Sequence, residues 1–314
     1  MRQYVVRRIL ALIPTWIAIG IIAFLIINLA PGDPAAVILG QESPENIEAI
    51  RERLGLDKPI PVRLVRWLAN AARGDLGESF FLGRSVSEAI LERLPVTFSL
   101  ALLGILIAAV IGIPLGVIAS LRPNTFRDTT VMGISLIGLS IPEFFMGLIL
   151  IFFFAVTMRW MPAGGYQPLS EGFGAWLKHL IMPAFALGFI QAALVARMTR
   201  SSMLEVLTSD YIRTARAKGL REKFVVWKHA FRNAILPVVT VIGMIFALLL
   251  SGAFITEVLF RIPGVGNLII SAVKRRDYPI VQGGLLIIST SVLLMNLIVD
   301  ILYAYIDPRI KYGE

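Results

Sequence analysis

Between Arg197 and Arg232 the chain carries nine basic residues and only three acids, Glu205, Asp210 and Glu222. Residues of this kind recognise a surface by charge; they do not make or break bonds. Ser209 or Asp210 is placed to cap a short predicted helix through Tyr211, Ile212, Arg213, Thr214, Ala215, Arg216, Ala217 and Lys218, and Gly219 stands where a left-handed C′ residue is expected. Thr214, Ala215 and Ala217 are small enough to permit close approach to another surface, and Arg213 and Arg216, three apart, share a face. Ala215, mid-helix, is expected on the approaching surface. A second helix is predicted through Phe224, Trp227, His229, Phe231 and Arg232. Two readings fit this segment: insertion into a groove on a partner protein, or attraction to anionic lipid headgroups.

Other chemistry is thinly provided. With no cysteine and two histidines, His179 and His229, disulfides, thiolate metal sites and cysteine nucleophiles are excluded and little remains for a metal centre. None of the seven lysines precedes serine or threonine, so no phosphate-binding Gly-x-x-x-x-Gly-Lys-Ser/Thr loop exists and ATP must be bound elsewhere. An intramembrane hydrolase would need a reactive serine or paired aspartates, yet neither Gly-x-Ser-Gly nor Gly-x-Gly-Asp occurs. Three acids fall in or at the ends of apolar runs, where an ionisable group is costly and functional by default. Glu143, after Ser140 and Pro142 in a broken helix, is expected to face a translocation path; Asp300 pairs with a neighbouring helix or lines the same path; Glu257 reads as a solvated residue near a membrane surface.

The elements that carry these residues are membrane spans. Hydrophobic residues make up 57% of the chain, charged ones 16%, and the mean hydropathy is +0.78. Six apolar segments are long enough to cross a hydrocarbon core of about 30 Å: 9–30, 97–121, 131–158, 180–196, 235–257 and 280–306. Pro14, Gly112-Ile113-Pro114 and Ser140-Ile141-Pro142 are helix disruptors, tolerated where neighbouring helices or a cavity satisfy the backbone. Trp16, Phe24, Trp160 and Trp176 read as lipid or interface anchors. The first span lacks a small-residue cleavage site, since Ala30 is followed by Pro31-Gly32-Asp33-Pro34, and is read as retained.

The net charge of +9 follows from basic residues at span ends, not from a nucleic-acid-binding domain. With the N-terminus inside, the cytoplasmic segments hold 16 Lys and Arg and the outer ones 14. The loop 31–96, which contributes 8 of the 14 beside ten acids, is discounted because loops beyond about 60 residues translocate largely regardless of charge. Sixteen against six then places both termini in the cytoplasm. That loop is predicted to be ordered, with Ser43-Pro44-Glu45 opening a helix closed by Gly55 and Ser85-Val86-Ser87-Glu88 forming a capping box. The organisation expected is 1–30 as cytoplasmic end and first span, 31–96 as an outer loop domain, 97–306 as a five-span core containing the basic loop 197–234, and 307–314 as a cytoplasmic tail.

The run Tyr211-Ile212-Arg213-Thr214-Ala215-Arg216-Ala217-Lys218-Gly219, followed by His229-Ala230 and Arg232-Asn233-Ala234-Ile235-Leu236-Pro237, resembles the coupling-loop signature of ABC importer permeases in its dipeptide and oligopeptide branch. The likeness extends along nearly the whole chain, through Arg7-Arg8, Pro31-Gly32-Asp33-Pro34, Gly74-Asp75-Leu76-Gly77, Arg93-Leu94-Pro95, Pro263-Gly264-Val265-Gly266, Arg276-Asp277-Tyr278-Pro279 and Asp307-Pro308-Arg309. The Glu-Ala-Ala of the wider signature reads Arg213-Thr214-Ala215 here, with a longer gap from Gly219 to Pro237, as in the peptide branch. The resemblance implies an all-α polytopic protein of six transmembrane helices with the type I importer permease fold, the first of two permeases in a bacterial or archaeal cytoplasmic membrane. It implies a homologous second permease, two ATP-binding subunits that hold ATP and magnesium, and an extracytoplasmic solute-binding protein. Cargo would be di- or oligopeptides; relatives carry glutathione or chelated nickel. An ATP-independent channel or carrier shares the spans but has no use for the docking-type loop.

Overall fold

The structure, a computed structural model, describes residues 2–28 and 57–306. The helix expected between Ser43 and Gly55 and the C-terminal tail lie outside the described residues. Among the described residues the regular structure is helical, with one isolated antiparallel bridge, Glu78 to Ser85.

Helix α1 spans Arg2–Asn28, α2 Ile60–Ala71, α3 Val86–Leu91 and α4 Leu94–Leu121. Ser85 caps α3 as its spacing predicts: its side chain accepts the backbone N–H of Glu88 at 3.2 Å. Helices α5, Phe126–Ser140, and α6, Glu143–Leu150, follow, the latter running on as a π-helix through Ile151–Thr157. Next come α7, Phe173–Leu207, and α8, Asp210–Ala217. Then α9, Glu222–Phe224, continues through a π-turn, Val225–Ala230, into α10, Phe231–Gly252. The helix expected after Gly219 is therefore no separate element but the head of the next span. Helices α11, Phe254–Leu259, α12, Val265–Arg275, and α13, Tyr278–Ile306, complete the described chain.

Among the described residues, five continuous stretches are long and apolar enough to cross a membrane: Val6–Leu25, Val86–Leu121, Phe173–Leu207, Glu222–Gly252 and Tyr278–Ile301. A sixth exists only as a broken pair, α5 with α6, bent by 99°. Pro142 causes the break, because it has no N–H for the helical ladder and drives Ile141 into extended backbone, φ −85°, ψ 121°. Pro14, Pro114, Pro183 and Pro237 sit inside continuous helices. Gly112-Ile113-Pro114 is thus not a break but a contact. A Cβ on Gly112 would lie 2.6 Å from the Ala192 carbonyl oxygen, and one on Gly116 2.5 Å from that of Ala196. Glycines four apart let α4 and α7 meet backbone to backbone, the small-residue packing that serves helices in lipid.

The chain forms two compact units, one of Phe98–Ile262 with Leu294–Glu314, the other of Arg2–Thr97 with Pro263–Leu293. In the second unit, residues far apart in sequence are joined by polar bonds. Buried Asp277 accepts from the Ser79 hydroxyl at 2.5 Å and from the Phe80 N–H at 3.3 Å, and Thr97 Oγ1 accepts the Val265 N–H at 2.9 Å. Trp16 donates its indole N–H to Thr290 Oγ1 at 3.0 Å. Phe24, 4% exposed, meets the Trp67 ring at 6.0 Å with the Arg63 guanidinium 5.8 Å over its own ring. Trp16 and Phe24 therefore bind within the protein and are not lipid anchors; their span uses them to hold α2 and α13.

Candidate functional site

The basic segment folds as a hairpin at the end of α7, in the first unit. Ser209 occupies the N-cap position with extended backbone, but its hydroxyl turns back to donate to the Val206 carbonyl at 2.6 Å and does not cap α8. Helix α8 ends in a Schellman arrangement: Gly219 N–H reaches the Arg216 carbonyl at 2.9 Å and Leu220 N–H the Ala215 carbonyl at 3.4 Å. Gly219 has φ +75°, the left-handed conformation expected of it. A Cβ there would meet nothing within 4 Å, so the backbone conformation and not space calls for glycine.

The two faces of α8 are sharply different. Ile212 and Ala215 are buried in a cluster with Val117, Met203, Val225, Val226, Ala230 and Ala234. The expectation that Ala215 meets a partner is thereby corrected, since its small side chain serves close approach to the protein's own helices. Tyr211, Arg213, Thr214, Arg216, Ala217, Lys218 and Gly219 are exposed and form the outward surface. Arg216 is bidentate to Glu222, at 2.7 and 3.2 Å, which closes the hairpin. That hydrogen bonding raises the Arg216 guanidinium above its usual range, so it stays charged. Arg213 lies 3.5 Å from Asp210, both largely exposed, a pair of little energetic weight. Asn233 donates to the Tyr211 hydroxyl at 2.8 Å, tying α8 to α10.

A buried ion pair, hidden from sequence reasoning, supports this hairpin. Asp128, 3% exposed, receives Arg200 Nε at 2.5 Å on one carboxylate oxygen, and on the other a second guanidinium nitrogen at 2.7 Å and the Asn124 N–H at 2.9 Å. The pair joins the start of α5 to α7 ten residues before α8. Its trace in the sequence is an aspartate in the first turn of α5 and an arginine near the end of α7, 72 positions apart among other span-end charges.

The expected path residues Ser140, Pro142 and Glu143 gather at the bend between α5 and α6, whereas Asp300 stands half-buried on α13. Ser140 returns its hydroxyl to the Leu136 carbonyl at 2.9 Å. Glu143 accepts the hydroxyl of buried Thr256 on α11, a partner no spacing announced. Glu257, next to it, is fully buried and not solvated as expected. Its backbone is tied on both sides of α11: its N–H binds the Ala253 carbonyl and its carbonyl takes the Ile262 N–H, both at 2.8 Å. Among the described residues no three His, Asp or Glu side chains are grouped to hold a metal.

Residues 112–312 match the family described as "Binding-protein-dependent transport system inner membrane component", and residues 1–101 match that system's N-terminal membrane component. A putative peptide transport system permease protein of Brucella abortus (strain 2308) is 46% identical over 99% of this chain and 100% of its own. The dipeptide transport system permease protein DppB of Alkalihalophilus pseudofirmus is 42% identical, and the glutathione transport system permease protein GsiC of Escherichia coli O6:H1 41% identical, each over 99% of this chain and all of the relative. Among solved structures, an inward-facing conformation of the MetNI methionine ABC transporter has a chain of similar fold, with TM-score 0.58, 20% identity, and coverage of 69% of this chain and 95% of that one.

Proposed function

We propose that this chain, which belongs to the binding-protein-dependent transport system inner membrane component family and is an ABC importer permease of the peptide branch, forms with a homologous second permease the pathway for di- or oligopeptides. Separate subunits bind ATP and magnesium, and an extracytoplasmic solute-binding protein delivers the cargo. Helix α8 is the coupling element. Its exposed row Tyr211, Arg213, Thr214, Arg216, Ala217 and Lys218 meets an ATP-binding subunit, while Ile212 and Ala215 anchor it to the spans.

The observation that carries this reading is the hairpin itself. A two-turn helix, closed by a left-handed glycine and cross-linked by Arg216 to Glu222 and by Tyr211 to Asn233, sits on the end of a spanning helix. Motion of a motor subunit against its outer face would be passed into α7 and, through Asp128 and Arg200, into α5. The broken span α5–α6 would then swing about Pro142, with Ser140, Glu143 and Asp300 lining the path and alternating access following from the two positions. Both termini lie in the cytoplasm in this arrangement.

The test is reconstitution of the complete transporter in proteoliposomes with a labelled dipeptide outside. ATP-dependent accumulation is expected, competed by unlabelled di- and tripeptides. Accumulation of glutathione with no peptide competition would shift the cargo to the second reading, which the similarity to a glutathione permease favours. Accumulation without ATP would overturn the importer reading altogether.

A further inference from the structure

The stretch Arg221–Arg232 has two apolar faces, and only one is covered. The π-turn Val225–Ala230 is wider than an α-turn and brings Val225, Val226 and Ala230, with Ala234 beyond them, onto the buried side. What it turns outward is aromatic and basic. Phe224 is 55% exposed and Trp227 50% exposed, with Lys223, Lys228 and Arg232 exposed around them. The Trp227 ring rests against Phe231 at 5.3 Å, so the aromatic surface is held in place. Glu222, the one acid here, is already bound to Arg216, which leaves the patch positive.

The position of this patch along its helix says what covers it. The spanning stretch Glu222–Gly252 has 31 residues, about 46 Å at 1.5 Å per residue, against a hydrocarbon core of about 30 Å. From Ile235 to Gly252 the sequence has no charge, so the core is filled from that side and the excess length, about 16 Å, falls at the basic end. With the tilt common to spanning helices, which takes more of the helix into the core, Trp227 reaches the headgroup layer and Phe224 its outer edge, on a helix that enters the bilayer directly after them. Amphipathic rings prefer that layer, and lysine and arginine beside them attract phosphate.

We infer that Phe224, Trp227, Lys223, Lys228 and Arg232 form a binding surface for anionic phospholipid headgroups, which anchors the head of this span beside the coupling helix. The two readings left open for the basic loop then apply to different parts of it: α8 meets a protein and the π-turn meets lipid. The site concerns the membrane and not the cargo, so it stands whether the substrate is a peptide or glutathione.

The test uses the complete transporter in vesicles of phosphatidylcholine containing brominated phosphatidylglycerol or, separately, brominated phosphatidylcholine. The chain has five tryptophans; subtracting the emission of a Trp227→Phe transporter isolates Trp227. Trp227 should be quenched at lower mole fractions of the brominated anionic lipid. Lys228→Gln should weaken that preference about fivefold, the worth of one basic residue at a charged surface, while Lys228→Arg retains it. Equal quenching by both lipids would show an aromatic anchor without headgroup selection and overturn the inference. So would Trp227 emission insensitive to either lipid in the full complex but quenched once the ATP-binding subunits are stripped away, since a protein would then cover the patch.

Discussion

At the scale of single residues, the most consequential pair is Asp128 and Arg200. A buried carboxylate that loses its cation keeps the desolvation cost, so breaking such a pair costs about 3–5 kcal/mol, and less here because the Arg200 side chain is 25% exposed. Asp128→Ala should lower the thermal stability of the purified complex markedly, Arg200→Ala similarly, and the double variant by less than the sum of the two. Additive losses would show that the two side chains act independently. A second contrast separates anchoring from docking on α8. Ala215→Glu would put a charge into the cluster around Met203 and Val226 and should reduce the amount of folded protein. Ala217→Glu, on the exposed face, should leave insertion and stability unchanged while reducing recovery of ATP-binding subunits with the permease. Recovery in full with Ala217→Glu would remove the outward face of α8 from the docking surface.

At the scale of elements, the 99° bend is made by Pro142 and tied to α11 by Glu143 and Thr256. Glu143→Gln retains an oxygen to accept the Thr256 hydroxyl and removes only the charge, whereas Thr256→Val removes the donor from a half-buried carboxylate. Thr256→Val should therefore destabilise by about 1–3 kcal/mol, seen as a shifted denaturation midpoint, with Glu143→Gln close to the parent. Uptake provides the functional half of the comparison. A Glu143→Gln transporter that is as stable as the parent yet imports more slowly would assign the charge to the path; one that imports at the parent rate would leave Glu143 as a tie between helices.

At the scale of the molecule, the absence of cysteine makes topology directly measurable. Arg73→Cys and Lys223→Cys both place a thiol at an exposed position. In intact cells a membrane-impermeant maleimide should label the first and not the second, and disruption of the membrane should expose both. The opposite pattern would invert the orientation derived from the lysine and arginine count, and with it the side of the membrane on which α8 lies.

The sequence by itself determined the membrane class, the placement of most spans and the outline of the basic hairpin. Apolar length and terminal charge are local properties, and Ser209, Gly219 and Ser85 mark their helix ends through backbone geometry that no distant residue alters. Only the tertiary structure decided which residues of those elements face one another. It turned Ala215 inward, because α8 rests on Val225 and Val226 of a helix that begins only after the turn at Gly219. It drew Trp16 and Phe24 away from lipid, made Gly112 and Gly116 a contact and not a break, and buried Glu257. It also joined Asp128 to Arg200, Glu143 to Thr256 and Ser79 to Asp277 across 72, 113 and 198 positions. In a bilayer both faces of a span are apolar, so the periodicity that shows the buried side of a soluble helix is missing, and the inward face of each span is set by packing alone.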